Sequence, residues 1–408
     1  MRSNKSPSTV TSRTITTSSA RTVEITYQEL SPVALVTIAI SLAGLVIGLN
    51  QLNPWLSPMI LVLSLLGMGG LLLRLHSAEH RAAKSADRAE DYAKLAGNNL
   101  ATYEPWLKAN IRGQDEAVGA VVASLQQNLA LARPGRILGA YFLVGPTGTG
   151  KTFLAQLVAR ALYPESEPVV LRMNQFKSAD DVFTFLGPPP GMPGFEVGGA
   201  LTRPVMENPQ RVIVLDEIEK AHPDLHHCLY DILDTATCRE KSSGKTVDFS
   251  CCVFFATCNG GVEALRALRG RISPVEDLAS WLGQSRDVLV SSTGFDRAFL
   301  ARWTDILLMD QLMPMHVAEV ACLQLARRWS EYGIEVTFAA PELILEAVQK
   351  NEEFKQYGVR QLGNYIQTKT SSAISQARAQ GATRVHLLLG PDGRLQVVPG
   401  ASGDQAQG

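Results

Sequence analysis

Two apolar runs near the amino terminus interrupt the mixed patterning of the chain. They are Val33–Leu49 and Trp55–Leu73, and no charged side chain occurs from Leu30 to Leu73. As helices rising about 1.5 Å per residue, each measures roughly 25–29 Å, close to the ~30 Å hydrocarbon core of a bilayer. Asn50-Gln51-Leu52-Asn53-Pro54 separates them as a polar turn whose proline can open the second helix. The pattern predicts a transmembrane helical hairpin over 31–75. A buried helix pair in a soluble bundle is the alternative, but soluble helices normally keep a polar face. Arg2, Lys5, Arg13 and Arg21 precede the hairpin, Arg74, Arg81, Lys84 and Arg88 follow it, and the turn is uncharged. The positive-inside rule then places both termini in the cytoplasm, with a bacterial inner membrane as the expected setting. Residues 1–30 read as a flexible basic tail rich in Ser and Thr. Residues 76–100 read as a helical stalk, with Glu90 and Lys94 at the favourable spacing of four and Gly97-Asn98-Asn99 as its stop.

Beyond residue 100, short apolar runs alternate with helical periodicity. Tyr141–Val144, Val212–Leu215 and Val253–Ala256 each have the continuous apolar character of a buried strand, and Phe153–Leu162 follows a helical pattern. Strands alternating with helices predict an α/β fold with a parallel sheet flanked by helices, which takes ligands at the carboxyl ends of its strands. Leu312–Ala379 contains amphipathic helical stretches, and Thr383–Val398 reads as two short strands around Gly390-Pro391-Asp392-Gly393. The expected division is a large α/β domain over 101–310, a small domain over 311–400, and a polar tail over 401–408.

Composition narrows the classes. Of the 408 residues 46% are hydrophobic and 19% charged, which excludes a disordered chain. The net charge of -1 gives no general basic excess, so no nucleic-acid partner is expected. Cys228, Cys238, Cys251, Cys252, Cys258 and Cys322 form no CxxC pair, which predicts reduced structural thiols. His222 and His226, four apart, suit one helix face, but no third residue completes a metal site.

The chemistry starts at the end of the first strand. Gly145-Pro146-Thr147-Gly148-Thr149-Gly150-Lys151-Thr152 is a GxxxxGKT loop between a strand and a helix, the context a phosphate-binding loop needs. Its glycines let backbone N–H groups turn inward around phosphates, and the helix N-terminus adds positive potential. Lys151 is expected at the β- and γ-phosphates of ATP, and the Thr152 hydroxyl on Mg²⁺. The second strand ends in Asp216-Glu217, with Asp216 expected to serve the Mg²⁺ and Glu217 to polarise the attacking water as a general base. The third ends in Thr257-Cys258-Asn259, where Asn259 can orient water or touch the γ-phosphate, although a strand-end Asn taken alone is more often a turn residue.

Together these residues resemble one family, the AAA+ ATPases of the Clp and heat-shock-hundred type, especially the second ATPase module of bacterial disaggregases. The resemblance runs from about Leu107 to about Val398. Ile111–Val118 is similar to the segment that cups the adenine, which implies Ile111 at the base. Leu215–Asp224 resembles the extended acidic motif almost throughout, and Gly244–Phe249 the strand lead-in before the Asn. Phe295–Arg302 resembles the stretch carrying an arginine finger, and Tyr357–Leu362 the second sensor. The resemblance implies a homo-oligomeric ring, commonly a hexamer, with ATP at subunit boundaries. Arg302 would reach a neighbour's γ-phosphate and Arg360 would close its own site.

The resemblance also has gaps. The family's substrate loop reads Gly-aromatic-Val-Gly, whereas this chain has Gly191-Met192-Pro193-Gly194 and then Phe195. Met192 and Phe195 are the candidate substrate-loop residues, and a plain surface loop is the alternative. No soluble amino-terminal substrate domain or second ATPase module is expected, the hairpin standing in that place. No docking tripeptide lies between Gly260 and Thr293, so no peptidase partner is expected. The implied activity is a membrane-anchored ATPase that remodels or unfolds protein clients. The alternative is an ATP-controlled assembly scaffold at the membrane.

Overall fold

The computed structural model describes residues 90–275, 277–353, 359–390 and 394–400, the side chains of 352, 353 and 360 excepted. The hairpin expected over 31–75, both tails, and the stalk up to residue 89 lie outside the described residues. Among the described residues no helix is long and apolar enough to cross a membrane. The end of the expected stalk is helical over 90–97, and Glu90 pairs with Lys94 at 2.9 Å.

The chain then runs through α1 (Glu104–Asn110), α2 (Asp115–Ala130), β1 (Gly139–Val144), α3 (Lys151–Leu162), β2 (Val169–Arg172), α4 (Asp181–Leu186) and α5 (Thr202–Glu207). It continues through β3 (Val212–Asp216), α6 (Pro223–Thr235), β4 (Thr237–Arg239), β5 (Thr246–Asp248), β6 (Val253–Cys258), α7 (Val262–Arg269), α8 (Leu278–Thr293), α9 (Arg297–Ala301) and β7 (Asp305–Leu308). Five of these strands form one sheet in the order β2-β3-β6-β1-β7, and every neighbouring pair is parallel. β1 and β6 are buried along their whole lengths, as expected for central strands covered on both faces. Gly244–Phe249 contributes β5 to a separate ribbon with β4 rather than to this sheet.

Alternate residues of each strand face opposite cores. Phe142, Phe254 and Ala256 join Leu229, Trp281, Phe299 and Trp303 on one face. Tyr141, Leu143 and Phe255 join Val118, Leu125, Leu154 and Val158 on the other. Each large side chain fully buried this way contributes about 1.5–3 kcal/mol, so two filled faces hold the strand ends rigidly. The register pairs Val144 with Cys258 and Leu215 with Ala256, which brings the ends of β1, β3 and β6 side by side. All three candidate strand-end motifs therefore open at one edge of the sheet.

The remainder is α10 (Pro314–Ser330), β8 (Glu335–Ala339), α11 (Pro341–Glu353), α12 (Arg360–Ala379), β9 (Arg384–Leu389) and β10 (Leu395–Pro399). It has its own core, including Val317, Leu325, Trp329, Leu343, Ile366 and Leu387. β9 and β10 are the antiparallel pair expected around 390–393. β8 joins them as a third strand, parallel to β9. A register shift between Val336 and Phe338 breaks the period-2 signal that would have revealed it.

Candidate active site

The loop after β1 is shaped by glycines. A Cβ at Gly145 would lie 2.4 Å from the Met309 carbonyl oxygen, a backbone atom that cannot move aside cheaply. Gly148 and Gly150 have φ of 80° and 94°, a region closed to most side chains. With Gly150 left-handed, α3 begins at Lys151 and directs its N-terminal N–H groups toward the space beyond the sheet.

Lys151 is the most buried charge of this cluster, with 7% of its surface exposed. Its ammonium donates to the carbonyls of Gly145 (2.6 Å) and Pro146 (2.8 Å) and to Oδ1 of Asn259 (2.9 Å). Burial pushes its pKa down to about 8, because the charged form loses water; Asp216, Glu217 and Glu219 offset only part of that loss. Thr152 Oγ1 donates to Asp216 Oδ1 at 2.7 Å, and Thr257 Oγ1 donates to the same oxygen at 2.8 Å. One hydroxyl and one carboxylate form a small hard-oxygen set. Such a set suits Mg²⁺, which keeps several waters and takes its remaining ligands from substrate phosphates. Among the described residues no cluster of three His, Cys, Asp or Glu could cage a metal without such help.

Glu217 is held in the left-handed region at φ 58°, ψ 54°, which costs a non-glycine residue about 1–2 kcal/mol. Its N–H donates to Thr257 Oγ1 at 2.9 Å, which helps hold that conformation. Its carboxylate pairs with Lys220 (2.8 Å) and accepts from Asn174 (3.3 Å) and Asn259 (3.4 Å). Asn259 thus touches both Lys151 and Glu217. Its own N–H donates to Glu219 Oε1 at 3.0 Å.

These groups line a cleft of about 380 Å³ between the sheet edge and the small domain. Ile111, Thr147 to Thr152, Asp216, Glu217 and Asn259 all contribute to its wall, so ten candidate residues meet in one place. Gly145 and Pro146 lie beneath it as acceptors for Lys151. Ile111 packs on the loop so closely that a Cβ at Gly150 would sit 3.0 Å from its Cδ1. Leu312 and Val320 make the opposite wall partly apolar, which suits a flat base. Arg360 begins α12; its side chain lies outside the described residues, and the preceding Val359 lines the cleft.

Arg302 is elsewhere. It follows α9 and pairs within its own chain with Asp234 at 2.7 Å. Met192 and Phe195 are also away from the cleft, in an exposed loop of successive turns with Gly191, Gly194 and Gly198 at positive φ. Val197 in the same loop is 61% exposed.

Sequence reasoning missed Asn174, Glu219, Lys220, Thr257 and Arg327. Thr257 carried a signal, standing two residues before Asn259 at a strand end. Asn174 follows β2, whose four residues gave too short an apolar run to register. Arg327 comes from the small domain to line the cleft with its guanidinium 5.4 Å from the Phe153 ring, and no motif marks it. His222 and His226 do not act as a pair: His222 caps α6, accepting the Asp224 N–H, while His226 is turned inward. Among the described residues the six cysteines form no disulfide.

Comparison with known proteins agrees with this geometry. Residues 136–304 match the AAA domain (Cdc48 subfamily). The chain is 31% identical over 298 residues to the negative regulator of genetic competence ClpC/MecB of Bacillus subtilis, covering 71% of this chain and 36% of that protein. It is 33% identical over 279 residues to chaperone protein ClpB 2 of Thermosynechococcus vestitus (65% and 30%). It is 32% identical over 332 residues to chaperone protein ClpB 1 of Nostoc sp. (77% and 36%). The chain thus spans about a third of the length of the curated relatives it matches. Residues 136–304, which carry the 145–152 loop and the strand ends that line the cleft, match the AAA domain, and the chain is similar to ClpB and ClpC proteins.

Proposed function

We propose that this chain is a membrane-anchored ATPase that works as a homo-oligomeric ring, a hexamer by family likeness, and uses ATP hydrolysis to remodel or unfold protein clients. The observation carrying it is the convergence of Lys151, Thr152, Asp216, Glu217 and Asn259 on one cleft walled by two domains. In this reading the Gly145–Thr152 loop and Lys151 hold the triphosphate, and Thr152 and Asp216 hold Mg²⁺. Glu217 is the general base and Asn259 places the water. Arg302 reaches the γ-phosphate in a neighbouring copy, and Arg360 closes its own site. The uncharged stretch Leu30–Leu73 is the anchor and keeps the ATPase domain on the cytoplasmic side. The exposed side chains of Met192 and Phe195 grip the client, with the adaptable contacts a thioether makes.

A second reading follows from Met192, which stands where the family has an aromatic, and from Pro193, which stiffens the loop. The chain is then an ATP-controlled assembly scaffold that does not thread polypeptide. The Met192→Ser/Phe195→Ser double variant separates the two. If the chain remodels clients, this variant hydrolyses ATP at its basal rate but no longer unfolds a tagged model protein. If the parent chain fails to unfold such proteins under ATP turnover, remodelling falls and the scaffold reading stands.

A further inference from the structure

The acidic motif and Arg302 are joined by one face of a single helix. His226, Tyr230 and Asp234 follow one another at intervals of four along α6, so they form a stripe on one side of it. All three meet α9 or its flanks. The His226 ring stacks on Phe299, with centroids 4.6 Å apart and planes at 22°. The Tyr230 hydroxyl donates to Asp296 Oδ2 at 2.7 Å. Asp296 is the N-cap of α9, its side chain accepting the Ala298 N–H at 3.1 Å. Arg302 closes the other end of α9, and its guanidinium carbon lies 4.0 Å from the centre of the Tyr230 ring. Asp234 Oδ2 accepts from Arg302 Nε at 2.9 Å and lies 2.7 Å from its Nη2. The short helix that carries Arg302 is thus fastened to α6 at both ends.

The way Arg302 is fastened matters. A guanidinium has five N–H groups in a rigid fork. Asp234 takes Nε–H and one hydrogen of Nη2, the side edge of the fork, and the Ala298 carbonyl takes one hydrogen of Nη1 at 2.7 Å. One N–H on each terminal nitrogen remains, and the side chain keeps 23% of its surface exposed. Both terminal nitrogens thus keep an N–H for a phosphate, beside the Tyr230 ring. At the other end of the stripe, His226 Nε2 lies 3.2 Å from the Ile218 carbonyl oxygen. That oxygen can only accept, so Nε2 bears the hydrogen. Ile218 directly follows Glu217.

We propose that Asp234 and Tyr230 are positioning residues. They hold Arg302 with its terminal edge outward for the γ-phosphate bound by a second copy of this chain, and His226 ties that placement to the protomer's own acidic motif. This rests on the assignment of Arg302 as the trans-acting group. Neither Asp234 nor Tyr230 touches the nucleotide. Their effect therefore falls on turnover in the neighbouring site, not on ATP affinity in their own.

Mixing two inactive variants separates these effects. Glu217→Gln supplies a finger but cannot turn over, and Arg302→Ala has a complete cleft but no finger. Co-assembled rings of the two, verified by co-purification through a tag on one chain, regain ATP turnover at the Arg302→Ala sites. The donor is then replaced by Glu217→Gln/Asp234→Asn, an isosteric change at a residue 47% exposed. The expected result is a kcat lower by about 1.5- to fivefold at unchanged KM, with Asp234→Glu in the donor restoring part of it. A double-variant donor as effective as the single one overturns the positioning role and leaves the trans assignment intact. No turnover in the first mixture, although both chains co-purify, overturns the assignment of Arg302 itself.

Discussion

Raising the pH from 7 to 9 should weaken nucleotide binding about tenfold and make binding take up a proton. The protein's own groups leave Lys151 at a pKa of about 8, mainly through burial. A triphosphate beside the ammonium supplies the negative charge that burial in the loop does not, and raises the pKa toward or beyond its ordinary value. The sign follows: the complex favours the charged lysine, so affinity is nearly full at pH 7 and is lost as pH rises through about 8. At pH 7 about nine-tenths of the lysine is already charged, and binding takes up only about 0.1 proton. At pH 9 about a tenth is charged, and binding takes up about 0.9. The ratio of the two charged fractions gives the tenfold loss. Cys258, the other proton-bearing group close to Lys151, does not interfere, since burial pushes its thiol well above this window. The terminal phosphate, with its last pKa near 6, keeps only about 0.1 proton at pH 7 and none at pH 9, so its loss can cancel the small uptake at pH 7 but not the large one at pH 9. The assay is titration calorimetry of ATP into the Glu217→Gln chain at pH 7 and 9, in buffers of differing ionisation enthalpy. Equal proton uptake at both pH values would refute the argument, as would undiminished uptake in a Lys151→Met chain that still binds.

Two further outcomes bear on the site. Glu217→Gln should retain ATP without turning it over, read as nucleotide left on the protein after gel filtration; normal turnover would remove Glu217 from the role of base. Gly145→Ala should reduce nucleotide affinity at least tenfold, because its methyl group would meet the Met309 carbonyl at 2.4 Å and force the loop off the sheet. A fluorescent nucleotide binding with unchanged affinity would show that the loop can yield there.

The sequence made the centre of the sheet legible because β1, β3 and β6 are covered on both faces and need unbroken apolar runs. Their ends were legible because phosphate binding demands particular residue types at fixed spacing. β2 and β7, at the sheet edges, have only four residues each, too few for the pattern to stand out. The groups that restrain the chemistry were hidden for another reason. Lys220 and Asn174 hold Glu217 through contacts 3 and 43 residues apart in the chain, and Asp234 holds Arg302 across 68. A lysine, an asparagine and an aspartate on loops and helices are ordinary surface residues until the fold brings them to a carboxylate or a guanidinium.

Lys220, which holds Glu217, and Asp234, which holds Arg302, belong to one continuous segment. β3 ends at Asp216, Glu217 and Ile218 follow, and α6 then carries the stripe to Asp234. A helix of 13 residues extends about 20 Å, and it moves as a rod on the scale of a hydrogen bond. The hold on Arg302 is of modest strength. A partly exposed ion pair contributes about 0.2–1 kcal/mol and a partly exposed cation–π contact about 0.5–1 kcal/mol. That is enough to select one arrangement of a long side chain and too little to lock it. A buried, fully sequestered arginine would be costly to present to another subunit, and an unrestrained one would lose entropy on every encounter. The partly exposed pair with Asp234 lies between these limits.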